Sequence, residues 1–126
     1  MIEHKQVALE TMKKKYPDDM KELLKLKPLN DNNYVMFGER CYEGNNYYFG
    51  ERHHITLVKH GRGKYYWDEE GLTYVGYFKK GKLDGEGKFV YKNGEVHEGN
   101  FVKGKLVGKG RIVYKNGEVK EVVFPL

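Results

Sequence analysis

VYKNGEV stands at residues 90–96 and again, letter for letter, at residues 113–119. A tyrosine, an Asn-Gly pair and two valines that recur after 23 residues read as the end of one β-strand, a turn and the start of the next. Working outward, YVGYFKKGKLDGEGKFVYKNG at residues 74–94 aligns without a gap on HEGNFVKGKLVGKGRIVYKNG at residues 97–117. Gly76, Phe78, Gly81, Gly85, Gly87 and Gly94 recur as Gly99, Phe101, Gly104, Gly108, Gly110 and Gly117. GRGKYYWDEEG at residues 61–71 matches the second half of a copy with one extra residue, so a decayed repeat precedes residue 71.

Within a copy Tyr74, Gly76 and Phe78 alternate, as do Gly85, Gly87, Phe89 and Tyr91. Each half is therefore a strand with aromatics and glycines on one face, and the unit is a β-hairpin. A glycine beneath a ring leaves room for the ring to lie flat on the backbone, so a chain with few aliphatic residues can still build a core. The turns at residues 92–94 and 115–117 offer an asparagine tolerant of positive φ and then a glycine, as a tight hairpin connection demands. One hairpin buries too little to stand alone, so successive copies must stack into a continuous sheet. The expected fold class is mainly β: a single-layer antiparallel sheet of successive β-hairpins with an N-terminal α-helical segment.

The helical segment and linker occupy residues 1–33, and the β-repeat domain residues 34–126. Ile2, Val7, Ala8 and Met12 fall near helical spacing among good helix formers, and Pro17 interrupts. Asp18 and Asp19 in a first turn, with Met20, Leu23 and Leu24 on one face, predict a second short helix before Pro28. The polar run at residues 29–33 marks the boundary. Strands are expected at residues 34–40 and 47–52 around a Gly-Asn turn, while residues 53–58 read as either a strand or an insertion. At the C-terminus, residues 118–126 begin a further copy as a cap strand, with Phe124 in register with Phe101 and Val122 at the glycine position. Lys120, Glu121 and Pro125 discourage edge pairing, although a partner could also complete this half-repeat.

The pattern Tyr-x-Gly-x-Phe, Gly-x-Leu-x-Gly-x-Gly and Tyr-x-x-Gly resembles the membrane occupation and recognition nexus (MORN) repeat. His97 departs from it where Tyr74 stands in the preceding copy, and Arg52 departs from it if Tyr48 and Gly50 open an upstream one. The resemblance implies an elongated, mildly twisted sheet of MORN-type hairpins serving as a non-catalytic platform for protein contacts. It also implies a place in cytoskeletal, ciliary or membrane-apposed assemblies, with phospholipid head groups as an alternative ligand.

Composition sets outer bounds. A single cysteine, Cys41, excludes an internal disulfide and a multi-cysteine zinc site; it points to a reducing compartment and reads as a small, semi-buried residue. The chain has no stretch of about 20 apolar residues and no apolar run at its N-terminus, so an intracellular, cytoplasmic or cytoskeletal/ciliary protein is expected. The formal net charge of +5 arises wholly after residue 71, and the pI near 9.1 permits anionic lipid, nucleic acid or an acidic protein as partner. The basic positions themselves repeat: Lys80 with Lys103, Lys82 with Lys105, Lys88 with Arg111, and Lys92 with Lys115. Like positions two strands apart lie roughly 10 Å from one another and form candidate rows for anionic contact, unless they only keep the sheet soluble.

Tyr74, Phe78, Phe89, Tyr91, Phe101 and Tyr114 form a face that is core if the sheet curls over it and a protein-contact surface if it stays open. Tyr77 and Val75 lie on the opposite face, so each side needs cover. His53 and His54 point to opposite faces and make a poor chelate, and no motif joins Cys41 to a histidine as nucleophile and base. Asp68, Glu69 and Glu70 read as a solvated turn. Accordingly no catalytic or metal site, cofactor, nucleic acid or small-molecule substrate is expected. Protein partners in a larger complex come first, and anionic phospholipid second.

Overall fold

The structure, a computed structural model, describes residues 2–29 and 35–125. Two helices, α1 (Ile2–Lys15) and α2 (Pro17–Leu23), precede eight strands. The strands are β1 (Val35–Tyr42), β2 (Asn46–His53), β3 (Lys59–Trp67), β4 (Leu72–Lys79), β5 (Lys82–Val90), β6 (Val96–Val102), β7 (Lys105–Val113) and β8 (Val119–Phe124). They form one antiparallel sheet in chain order, each strand paired with the next. The mainly β fold with an N-terminal helical segment is thus as the repeat predicts. Most of the boundary run and Tyr34 lie outside the described residues.

The hairpins β4–β5 and β6–β7 are the two clear copies. Hairpin β2–β3 is a third, because the Tyr48 hydroxyl donates to the Glu51 carbonyl at 2.6 Å just as Tyr74 donates to Tyr77 at 2.9 Å. Ladder shifts recur after Gly50, after Gly76 and after Glu98. Such bulges raise local twist and bend the sheet.

The turn chemistry differs from the sequence expectation. Asn93 and Asn116 do not take positive φ; only Gly94 and Gly117 do, at 91° and 92°. The Gly94 amide donates to the Tyr91 carbonyl and the Tyr91 amide to that of Glu95, which makes a type I turn closed by a left-handed glycine. Asn93 and Asn116 accept instead, at Oδ1, from the amides of Glu95 and Glu118. The two-residue turns with positive φ at both positions are Lys80-Gly81 and Lys103-Gly104. Of residues 53–58, His53 ends β2 and residues 54–58 form the corresponding connection to β3, an insertion relative to the two-residue turns of the other copies rather than a strand.

The first face of the sheet carries Tyr48, Tyr74, Phe78 and Phe101, all fully buried although their packing partners lie on strands alone. The Tyr74 ring meets Phe78, Phe89 and Phe101 edge-on at 5.1–5.5 Å, so the rings cover one another as the sheet bends. They can do so because a Cβ on Gly63 would lie 2.6 Å from the Tyr48 ring, and one on Gly87 2.6 Å from the Tyr74 ring. Arg52, which breaks the repeat pattern, lays its guanidinium over Gly38 where a ring would otherwise lie.

The helices cover the second face over β1–β4. Met12, Met20 and Leu23 pack with Phe37, Phe49 and Val75. Pro17 starts α2, since a first-turn residue needs no amide hydrogen, and Asp18 and Asp19 follow at the positive end of the helix dipole. Two side chains depart from the expected amphipathic pattern: Val7 and Leu24 are exposed, off the line of Leu9, Met12, Tyr16, Met20, Leu23 and Leu26 that packs on the sheet. Cys41 is also exposed rather than semi-buried, since its side chain on β1 lies beyond that line.

Candidate interaction surfaces

The hook formed by α1 and α2 is locked to the sheet by polar contacts. Arg62 donates from Nε to Glu51 Oε1 at 2.9 Å and from an NH2 group to Oε2 at 3.2 Å, while its backbone amide reaches Oε1 at 2.8 Å. The pair is buried, with Glu51 2 % and Arg62 8 % exposed. The other terminal nitrogen of Arg62, Nη1, donates to the Leu26 carbonyl at 3.2 Å, and the guanidinium lies over the Phe37 ring. Lys64 Nζ lies 2.8 Å from both Asp19 and Glu22 on α2, and the Tyr66 hydroxyl donates to Asp19. The Tyr77 hydroxyl donates to the Lys27 carbonyl at 2.6 Å.

Several of these groups titrate far from their ordinary values. Burial opposes the Lys64 charge, but hydrogen bonds to Asp19 and Glu22 outweigh it and raise the ammonium pKa. Burial raises the hydroxyls of Tyr48 and Tyr74 well above the usual phenol range. In each case the folded value exceeds the unfolded one, so this stability is full below about pH 10 and is lost as pH climbs through the folded values. We expect the melting temperature, followed by circular dichroism, to fall steadily from pH 10 to 12. Tyr74→Phe should reduce that slope by about one proton; a flat profile through pH 11, or an unchanged slope in the variant, would contradict the assignment.

The sequence-derived aromatic set divides in the structure. Tyr74, Phe78 and Phe101 are buried, Phe89 and Tyr114 half-buried, and Tyr91 exposed against His97 at 4.5 Å. The basic set divides three ways. Lys92 and Lys115 lay their stems over Gly71 and Gly94 in the preceding turns. Lys88 and Arg111 lie on the second face beside carboxylates: Arg111 pairs with Glu98, and Lys88 lies 3.9 Å from Glu22. Lys80, Lys82, Lys103 and Lys105 sit at the hairpin tips, and none has an ion-pair partner among the described residues. Exposed Ile55, Leu57 and Val58 occupy the β2–β3 connection at the same end, where the Gly81 amide donates to the Lys59 carbonyl.

Beyond α2, the second face over β5–β8 is open. Glu22, Lys25 and Leu26 wall a concavity of ≈ 870 Å³ whose floor is the sheet itself. Ladder partners place Lys88 opposite Glu98, Glu98 opposite Arg111, and Arg111 opposite Glu121, so charge alternates from strand to strand. A valine row runs beside it through Val90, Val96, Val113 and Val119. Sequence reasoning paired the like charges of successive copies and missed the acidic strand between them; this rung order needs the ladder register.

The sheet edges carry their own charge logic. Strand β1 has the character of a second half-repeat, with Gly38 opposite Gly50, and β8 that of a first half-repeat. Joining β8 of one copy to β1 of another in the register of β4–β5 would set Lys120 against Arg40 and Glu121 against Glu39. Like charges directly opposite destabilise a ladder, so end-to-end sheet growth is opposed.

No group of side chains suited to holding a metal ion occurs among the described residues, and no helix among them is long and apolar enough to cross a membrane. Among curated proteins none matches the chain. The MORN repeat family model matches residues 58–69, 74–96 and 97–119, which fall on strand β3 and on the hairpins β4–β5 and β6–β7 with their following turns. The chain carries MORN repeats, each matched segment lying on part or all of one β-hairpin of the continuous sheet.

Proposed function

We propose that this protein is a non-catalytic adaptor or structural subunit that holds protein partners within a larger cytoskeletal, ciliary or membrane-apposed assembly. The observation that carries the reading is the unequal cover of the second face: the hook seals β1–β4 and leaves β5–β8 as an open, walled and charged concavity. The first face, which the sequence offered as the alternative contact surface, supports the reading less, since Tyr74, Phe78 and Phe101 are already buried against one another. A lysine-reactive cross-linker applied to the tagged chain in its native cells tests this. Stoichiometric partners joined through Lys88 and Lys109, both of which line the concavity, and lost when Lys88→Glu and Arg111→Glu are combined, are expected. A chain recovered only as free monomer, or cross-linked solely elsewhere, would remove the reading.

One observation favours a second reading, contact with an anionic membrane surface. Lys80, Lys82, Lys103 and Lys105 have no ion-pair partner among the described residues and lie at one end of the sheet beside Ile55, which is 73 % exposed, and basic groups around an apolar tip suit a charged interface. Vesicles of phosphatidylcholine with phosphatidylserine should then bind the chain in low salt and release it in high salt. Equal binding after changing the four lysines to glutamate would exclude this surface.

A further inference from the structure

The open half of the second face keeps one feature of the surface on which α2 already lies, a basic residue at the same place in each copy. Lys64, Lys88 and Arg111 occupy the same place in successive copies, each following the glycine Gly63, Gly87 or Gly110. On the first of these rungs α2 sets Met20 and Leu23 against an apolar floor and holds Lys64 with Asp19 and Glu22, one helical turn apart. Glu22 also approaches Lys88, two strands further on. Both rows of the open half continue rows beneath the hook: the valine row extends from Tyr66 and Thr73, and the charged row from Lys64 and Val75.

We infer that the open half takes an amphipathic helix of a partner protein, laid across the strands beside α2, with an apolar stripe and a polar edge that alternates acid and base once per turn. The inference deepens the adaptor reading and rests on it. Strand spacing of about 4.8 Å and helical pitch of about 5.4 Å differ little over three rungs, so successive helix turns can meet successive strands. An acid then faces Lys88, a base Glu98, an acid Arg111 and a base Glu121, while the apolar stripe covers Val90, Val96 and Val113. The charged row is balanced, so a uniformly acidic or uniformly basic edge would meet as many like charges as unlike ones. Charge order, rather than net charge, is what this surface can select.

Three synthetic helical peptides of about 14 residues test this by fluorescence anisotropy with the full chain: one with an alternating edge, one with an acidic edge and one with a basic edge, on the same apolar stripe. The alternating peptide is expected to bind at least about tenfold more tightly than either twin, a difference of about 1.4 kcal/mol. Glu98→Lys makes three consecutive rungs basic and should move the preference to the acidic peptide; Glu121→Lys, at the exposed edge strand, should do so more weakly and guards against a folding defect in the first variant. Binding of all three peptides within twofold, or no binding below millimolar concentration, would overturn the inference. In that case cross-links to Lys88 and Lys109 would still uphold an adaptor with another kind of partner, whereas their absence would remove both readings.

Discussion

Gly87→Ala is expected to destabilise the fold by about 3 kcal/mol, the upper part of the range for overpacking a tight core. The new methyl carbon would stand 2.3 Å from the Tyr74 hydroxyl oxygen and 2.6 Å from its ring carbons. The ring has nowhere to go: it is fully buried, its hydroxyl is bonded to the Tyr77 carbonyl, and Phe78, Phe89 and Phe101 enclose it edge-on. The backbone at Gly87 is not in the left-handed region, so the cost is one of space rather than conformation. Gly117→Ala provides the contrast. There φ is 92° and no atom lies within 4 Å, so the penalty is conformational and about 1 kcal/mol. Urea unfolding of both variants measures the difference, and equal losses would show that the ring does not depend on the glycine.

The second large effect concerns Glu51 and Arg62. Removing one member of a buried ion pair leaves the other charge without its partner, and typically costs about 3–5 kcal/mol. Glu51→Ala is expected to reach that range because it strands a guanidinium and a backbone amide at once. Arg62→Met should additionally loosen the hook, since the same side chain reaches the Leu26 carbonyl and covers Phe37. Combining Glu51→Ala with Arg62→Met should cost clearly less than the sum of the single changes, because no uncompensated charge remains. Chemical denaturation of the three variants completes the cycle, with amide exchange in α2 reporting on the hook. Additive losses would mean that the two side chains do not act as a pair.

These two sites show how differently the halves of the molecule are held. The repeats cohere through rings on glycines, a device that each copy supplies to itself and its neighbour. The hook is held by Glu51, Arg62 and Tyr77, which the last copy does not repeat, together with Lys64, whose place Lys88 and Arg111 take in the later copies. At the equivalent positions of the last complete copy stand Asn100, Lys109 and Arg111, and there the second face remains open.

Much of this was legible in the sequence, because β-hairpins are local. Alternation of Tyr74, Gly76 and Phe78, the recurrence after 23 residues and the Asn-Gly pairs are enough to specify strands, turns and an antiparallel sheet in chain order. The ring-on-glycine core follows from the same spacing. The tertiary structure decided what lies over each face. That α2 sits on β2 and β3 depends on contacts such as Lys64 with Asp19, 45 residues apart, which no periodicity encodes. That Lys88 and Arg111 belong to an alternating row rather than a basic one depends on Glu98 being set between them by the ladder. Local spacing therefore determined the repeat, while long-range register and the docking of the hook determined which of its surfaces remains open.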